Sequence, residues 1–134
     1  MATIAITGAS GFVGSALAES LRGAGHSVLR FTRPGSTGTA AAGAGRIAWD
    51  PATGAIDRDA AARLDAVVHL AGANVAAGRW TAARKRAIHD SRGPATERLC
   101  RSLAALPRPP ALLSASATGI YGDRGDEPLV EDSA

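Results

Sequence analysis

The sequence predicts an α/β chain: a doubly wound parallel sheet with helices on both faces, ending after about the fifth strand. Three observations carry this expectation. Short apolar runs alternate with stretches of helical periodicity, as strand–helix units require. A glycine-rich turn, Gly8 to Gly14, separates the first apolar run from the first helical stripe. The run Ala66-Val67-Val68-His69-Leu70 is nearly continuous in apolar character, the pattern of a strand covered on both sides in a parallel sheet.

The elements follow in order. Thr3-Ile4-Ala5-Ile6-Thr7 reads as a strand stopped by Gly8. Val13, Leu17 and Leu21 fall at i, i+4 and i+8 and set one apolar stripe on a helix that ends near Gly23 and Gly25. Val28-Leu29-Arg30-Phe31 is a second strand, and residues 35–45, without a large apolar group, read as a mobile loop. Arg46-Ile47-Ala48-Trp49 makes a short strand, Asp50 to Gly54 a turn, and Asp57 to Leu64 a short helix. After the strand at 66–70, Trp80 to Arg92 is helical, with Trp80, Ala83, Ala87 and Ile88 on one side. Gly93-Pro94 interrupts the pattern, which resumes with Leu99, Leu103 and Leu106, as one kinked helix or two. Pro107, Pro109 and Pro110 stop it, and Ala111-Leu112-Leu113-Ser114 is the last strand.

Composition narrows the function classes. The 134 residues hold one domain, and with 46% apolar but only 4% aromatic residues its core must be aliphatic and alanine-rich. Fifteen basic against twelve acidic residues give a charge of +3, and much of the excess lies between residues 79 and 108. Apart from Trp80 no aromatic interleaves with those arginines, so they read as a solvated helical face rather than a nucleic-acid site. No run approaches the ~20 apolar residues of a membrane helix, and Met1–Ile6 lacks the basic region of a signal peptide. One cysteine, Cys100, excludes an internal disulfide, and the three histidines are too scattered for a metal site. A cytoplasmic location is the expectation.

The glycine turn carries the chemistry. Gly8-Ala9-Ser10-Gly11-Phe12-Val13-Gly14 follows a strand and opens a helix, the context of a dinucleotide-binding turn. Gly8 permits the tight turn, Gly11 lets a pyrophosphate approach the backbone, and Gly14 brings helix and sheet close. The helix N-terminal amides, around Ser10, Phe12 and Val13, then face the phosphates with the positive end of the helix dipole. A turn kept only for close packing is the alternative.

The spacing Gly-x-x-Gly-x-x-Gly, with Thr7 before it, resembles the extended, epimerase-like form of the short-chain dehydrogenase/reductase superfamily. Asp65 to Gly72 is similar to that family's fourth strand and the turn along the cofactor, which brings in Leu70, Ala71 and Gly72. Within the superfamily the chain is similar to a branch of epimerase-family oxidoreductases. The matching segments are Trp49 to Asp57, then Trp80 with Lys85, Ile88, Ser91 and Arg92, then Ser116 to Gly125. The resemblance implies a Rossmann-type domain over residues 1–134, with a substrate domain lying beyond it.

The second strand ends in Phe31-Thr32-Arg33 with no acidic residue. An acid there would bind ribose hydroxyls and repel a 2′-phosphate, whereas Arg33 and Thr32 can hold that phosphate. NADP is therefore expected over NAD, with an ordinary loop arginine as the alternative.

By resemblance, Ser116 is the catalytic serine, with Ser114 and Thr118 as substitutes. A serine that merely satisfies backbone groups is the other reading. The family's Tyr-x-x-x-Lys pair is absent: Tyr121, the single tyrosine, precedes Gly-Asp-Arg-Gly, and the single lysine is Lys85. The resemblance makes Tyr121, with Thr118, part of the substrate cleft. His69 reads as a hydrogen-bonded core residue, Cys100 as a small buried hydrophobe, and Trp49 and Trp80 as packing anchors. Lys85, Ser91 and Arg92 are assigned either to the nicotinamide side or to the helix surface.

Two main functions are left: the cofactor-binding portion of an NADP-dependent oxidoreductase acting on a carbonyl or hydroxyl of a small-molecule substrate, or an NADP(H)-sensing module without turnover. The last strand leaves an unpaired edge, which predicts homo-oligomers.

Overall fold

The computed structural model describes residues 1–35 and 45–133, so most of the loop expected at 35–45 lies outside the described residues. The order is β1 (Thr3–Thr7), α1 (Phe12–Gly23), β2 (Ser27–Thr32), β3 (Arg46–Ala48), α2 (Arg58–Ala61), β4 (Ala66–His69), α3 (Ala82–Ala104) and β5 (Ala111–Ser114), then a 3₁₀ turn at Thr118–Tyr121. The five strands form one parallel sheet in the order β3-β2-β1-β4-β5. The doubly wound fold expected from the alternating pattern is the one observed.

Each face of the sheet carries its own core. Ala5, Phe31, Ile47 and Val67 pack under Leu99, Leu103 and Leu106 at the end of α3, with Leu64 and Trp49. On the other face Ile6 and Val28 pack against Ala18 of α1, flanked by Leu17 and Leu21. Alternation along each strand sends successive residues to opposite faces, and the register sets Ile6, Val68 and Leu113 side by side. Leu113 nevertheless remains 56% exposed, because α1 does not reach that far across the sheet.

Several local expectations change. The α1 stripe is carried by Leu17 and Leu21 with buried Gly14 and Ala18, while Val13 at the helix start is exposed. The helix ends as the glycines predict: Gly25 takes φ +83°, and the amides of Gly25 and His26 donate to Arg22 and Leu21 carbonyls. The helix expected over Asp57–Leu64 is one turn, capped by the Asp57 carboxylate accepting from the Ala60 amide at 3.0 Å.

Helix α3 runs unbroken through Gly93-Pro94, so the two-helix alternative falls away. It starts after Trp80, where Thr81 caps it by accepting from the Arg84 amide. Trp80 is not a packing anchor. It stays exposed, and its indole N–H donates to the Val75 carbonyl. Cys100 is exposed rather than buried, because it sits beside the Leu99–Leu103 stripe and not on it.

Candidate functional site

At the C-terminal ends of β1, β2 and β4 the surface opens into a cavity of about 630 Å³. The strand order places it where successive connections leave β1 toward opposite sides, the position at which open α/β sheets bind ligands. Thr7, Gly8, Ser10 and Gly11 supply one wall, Thr32 and Arg33 a second, and Leu70, Ala71 and Gly72 a third. Nine of the residues singled out from sequence thus meet at one opening.

The turn is built by contacts that leave no room for side chains. Gly8 adopts φ +68°, and a Cβ there would lie 3.1 Å from the Leu70 carbonyl and the Ala71 amide. The Gly11 amide donates to the Gly8 carbonyl at 2.9 Å, and a Cβ on Gly11 would meet that oxygen at 3.2 Å. Gly14 lies under the turn, where a Cβ would overlap the Gly8 carbonyl. Its smallness therefore serves the turn itself, where the sequence had assigned it to helix–sheet packing. Gly11 caps α1 without a side-chain bond, so the first amides of the helix point outward without intrahelical partners. Phe12 and Val13 do not line the cavity, and their side chains are exposed.

Behind the cavity, Thr7 is fully buried and organises the opposite turn. Its hydroxyl oxygen accepts from the Leu70 and Ala71 amides, both at 3.0 Å, and lies 2.7 Å from His69 Nδ1. His69 Nε2 lies 3.0 Å from the Thr96 hydroxyl of α3. His69 is thus the core histidine expected from sequence, and burial lowers its pKa from the ordinary 6.5.

Helix α3 also grips the next two residues. The Ser91 hydroxyl accepts from the Ala73 amide at 2.9 Å, and Arg92 donates to the Ala73 carbonyl at 3.0 Å. The Arg92 guanidinium lies over Gly72, where a Cβ would come within 3.2 Å of it. Ser91 and Ala95 line the cavity, and Arg92 supports its rim.

Phe31, Trp49, Pro51 and Ala73 complete the lining. Trp49 is buried, with its ring edge-on to Phe31 and to His69 at 6.0 and 5.8 Å. Its indole N–H has no protein partner. The parallel register between Phe31 and Ile47 brings the end of β3 here, a signal the sequence contained in the position of Trp49 after that strand. Asp50 does not line the opening. Its carboxylate accepts from the Ala52 amide and the Thr53 hydroxyl, which in that order hold its pKa below 3.8.

Among the described lining residues Arg33 is the one charged side chain, and none is acidic. An opening with glycine cradle, outward helix amides and one exposed cation fits the phosphates of a dinucleotide. Ser116 is exposed beyond the end of β5 and is not among the described lining residues, and neither is Tyr121. Thr118 opens the 3₁₀ turn, and its side chain lies outside the described residues. No cluster of three metal-ligating side chains occurs among the described residues, and no described helix is long and apolar enough to cross a membrane.

Comparison with known proteins bears on this geometry. Residues 4–134 match the model of the NAD dependent epimerase/dehydratase family. An epimerase family protein of Mycobacterium bovis is 40% identical over 99% of this chain, which spans 42% of that relative's length. A crystal structure of a human epimerase family protein with NADPH is 28% identical with a TM-score of 0.67, and the match covers 89% of this chain and 38% of that one. A short-chain dehydrogenase/reductase superfamily protein of Agrobacterium tumefaciens with bound NAD is 26% identical with a TM-score of 0.64, covering 98% of this chain and 38% of that one.

Proposed function

Because the chain belongs to the NAD dependent epimerase/dehydratase family, we propose that its cavity holds a nicotinamide dinucleotide, NADP in preference to NAD. The observation that carries this reading is the convergence of the glycine turn and Arg33 on one opening at the C-terminal edge of the sheet. Gly8, Ser10, Gly11 and the amides of Phe12 and Val13 would hold the pyrophosphate, with Thr7 and Gly14 shaping that turn. Thr32 and Arg33 would hold the 2′-phosphate, and Leu70 to Gly72 would flank the nicotinamide half. The human relative solved with NADPH supports the choice; the NAD-bound neighbour is why it needs a test.

The bound dinucleotide would supply hydride transfer to or from a carbonyl or hydroxyl carbon. This chain's own part is to bind and orient that group and to present Ser116 at the end of β5 as a hydrogen-bond partner for a small-molecule substrate, near Thr118 and Tyr121. A second reading, binding without turnover, is favoured by the exposure of Ser116 outside the cavity. We propose in addition that copies of the chain associate through the β5 edge, and that the protein works in the cytoplasm, in keeping with an unpaired cysteine.

Titration of the chain with NADPH, followed by the cofactor's own fluorescence, tests binding. Saturable enhancement is expected, and a flat titration refutes the reading. Incubation with a panel of carbonyl compounds separates the two roles: the isolated chain is expected to bind without consuming NADPH, and catalytic oxidation overturns that expectation.

A further inference from the structure

The hydrogen bonds behind the cavity have a definite direction. Thr7 Oγ1 accepts from two backbone amides, those of Leu70 and Ala71, and also lies 2.7 Å from His69 Nδ1. A hydroxyl has two lone pairs and one proton. Both lone pairs are occupied, so the proton points to Nδ1, and that nitrogen accepts. The neutral ring then carries its proton on Nε2 and donates to Thr96 Oγ1 at 3.0 Å. The ring is faced by Thr7 from β1, Trp49 after β3 and Thr96 from α3, none of them charged.

We infer that Thr96, which does not line the cavity, is a positioning residue for it: by accepting from Nε2 it fixes the His69 tautomer, and so turns the Thr7 lone pairs onto the Leu70 and Ala71 amides. Without the Thr96 oxygen, a proton on Nε2 would be buried without a partner, which favours moving it to Nδ1. Nδ1–H would then need a lone pair of Thr7, and one amide would have to give up the hydroxyl: Leu70, whose amide also faces the Thr7 carbonyl at 3.3 Å, would fall back on that oxygen, or Ala71 would lose its acceptor. Leu70 and Ala71 lie against the Gly8 backbone, so that release shifts the wall of the opening. The consequence for ligand binding rests on the dinucleotide reading, whereas the proton order belongs to the free chain.

Nuclear magnetic resonance of the chain with nitrogen-15 histidine, at pH 7.5 and without ligand, reads the proton order directly. Unprotonated Nδ1 and protonated Nε2 are expected at His69. In Thr96→Val a measurable fraction should switch to Nδ1–H, and the Leu70 and Ala71 amides should shift and exchange faster with solvent; Thr96→Ser should match the parent chain. An Nδ1–H ring in the parent chain, or a Thr96→Val spectrum unchanged at His69, Leu70 and Ala71, overturns the inference. Should Thr96→Val fail to fold, the parent tautomer and the Thr96→Ser spectrum decide. Where NADPH binds, Thr96→Val should raise its Kd about fivefold, the worth of one neutral hydrogen bond. A parent chain that binds no NADPH defeats the functional reading but leaves the tautomer result to judge this one.

Discussion

Gly14 lies directly beneath the Gly8 carbonyl, so close that a Cβ on Gly14 would overlap that oxygen and come within 2.9 Å of Ala9 Cα. Helix α1 therefore starts backbone against backbone, and its outward amides are fixed relative to the end of β1. Gly14→Ala must displace the helix start or the Gly8 peptide, and overpacking of this kind costs about 1–3 kcal/mol. Urea unfolding should show that loss. Gly23→Ala is the contrast: nothing lies within 4 Å of its Cβ position, and replacing a helical glycine should be neutral or stabilising by up to ~1 kcal/mol. Equal stabilities for the two variants would contradict the packing argument.

Arg33 is exposed at the end of β2 and is the one cation among the described lining residues. If it holds the 2′-phosphate, Arg33→Ala removes charge-assisted hydrogen bonds worth about 1.5–3 kcal/mol, roughly a 10- to 100-fold loss in NADPH affinity. NADH affinity should stay within about twofold. Parallel calorimetric titrations check this, and an equal loss for both cofactors would make Arg33 an ordinary loop arginine.

Burial lowers the His69 pKa from 6.5. The unfolded chain takes up a proton near 6.5 and the folded chain only at lower pH. Stability is therefore full above 6.5 and declines as pH falls from there through the folded value. Asp65 contributes in a separate window. Its carboxylate accepts from the Thr3 amide at 2.7 Å and from Arg108 at 2.8 Å, and these bonds, in that order, hold its pKa below 3.8. That contribution is present above pH 3.8 and is lost as pH drops further. Urea midpoints should fall between pH 7 and 5, and this fall should be absent in His69→Asn. A parent midpoint flat over that range would contradict the account.

Leu113 stands exposed on β5, the strand at one edge of the sheet. Association through that edge predicts a concentration-dependent sedimentation coefficient that Leu113→Lys abolishes, since an edge lysine opposes pairing. A parent chain that stays monomeric at high concentration would refute it.

The parts of the site legible from sequence were the local ones. Gly8, Gly11 and Gly14 announce a turn by spacing alone, and Arg33 is located by its offset from that turn. What escaped depends on partners far apart in the chain. Thr7 and His69 are 62 residues apart and become neighbours through the β1–β4 register. Ala95 reaches the opening because α3 crosses behind the β4 turn, beside Ser91, for which the sequence left the cofactor side open. Cys100 lies outside the core for a simpler reason: it follows Leu99 by one residue, about 100° around the helix from the buried stripe. The size of Trp80 suggests burial, but its N–H instead secures an exposed loop.

The most direct test of a dinucleotide site at the end of β1 is a map of backbone amide shifts on adding NADP⁺ to the nitrogen-15-labelled chain. The largest changes are predicted at Gly8 to Val13, Thr32, Arg33 and Leu70 to Gly72. Saturable shifts confined to the arginine-rich face between residues 79 and 108, or no saturable shifts at all, would contradict it.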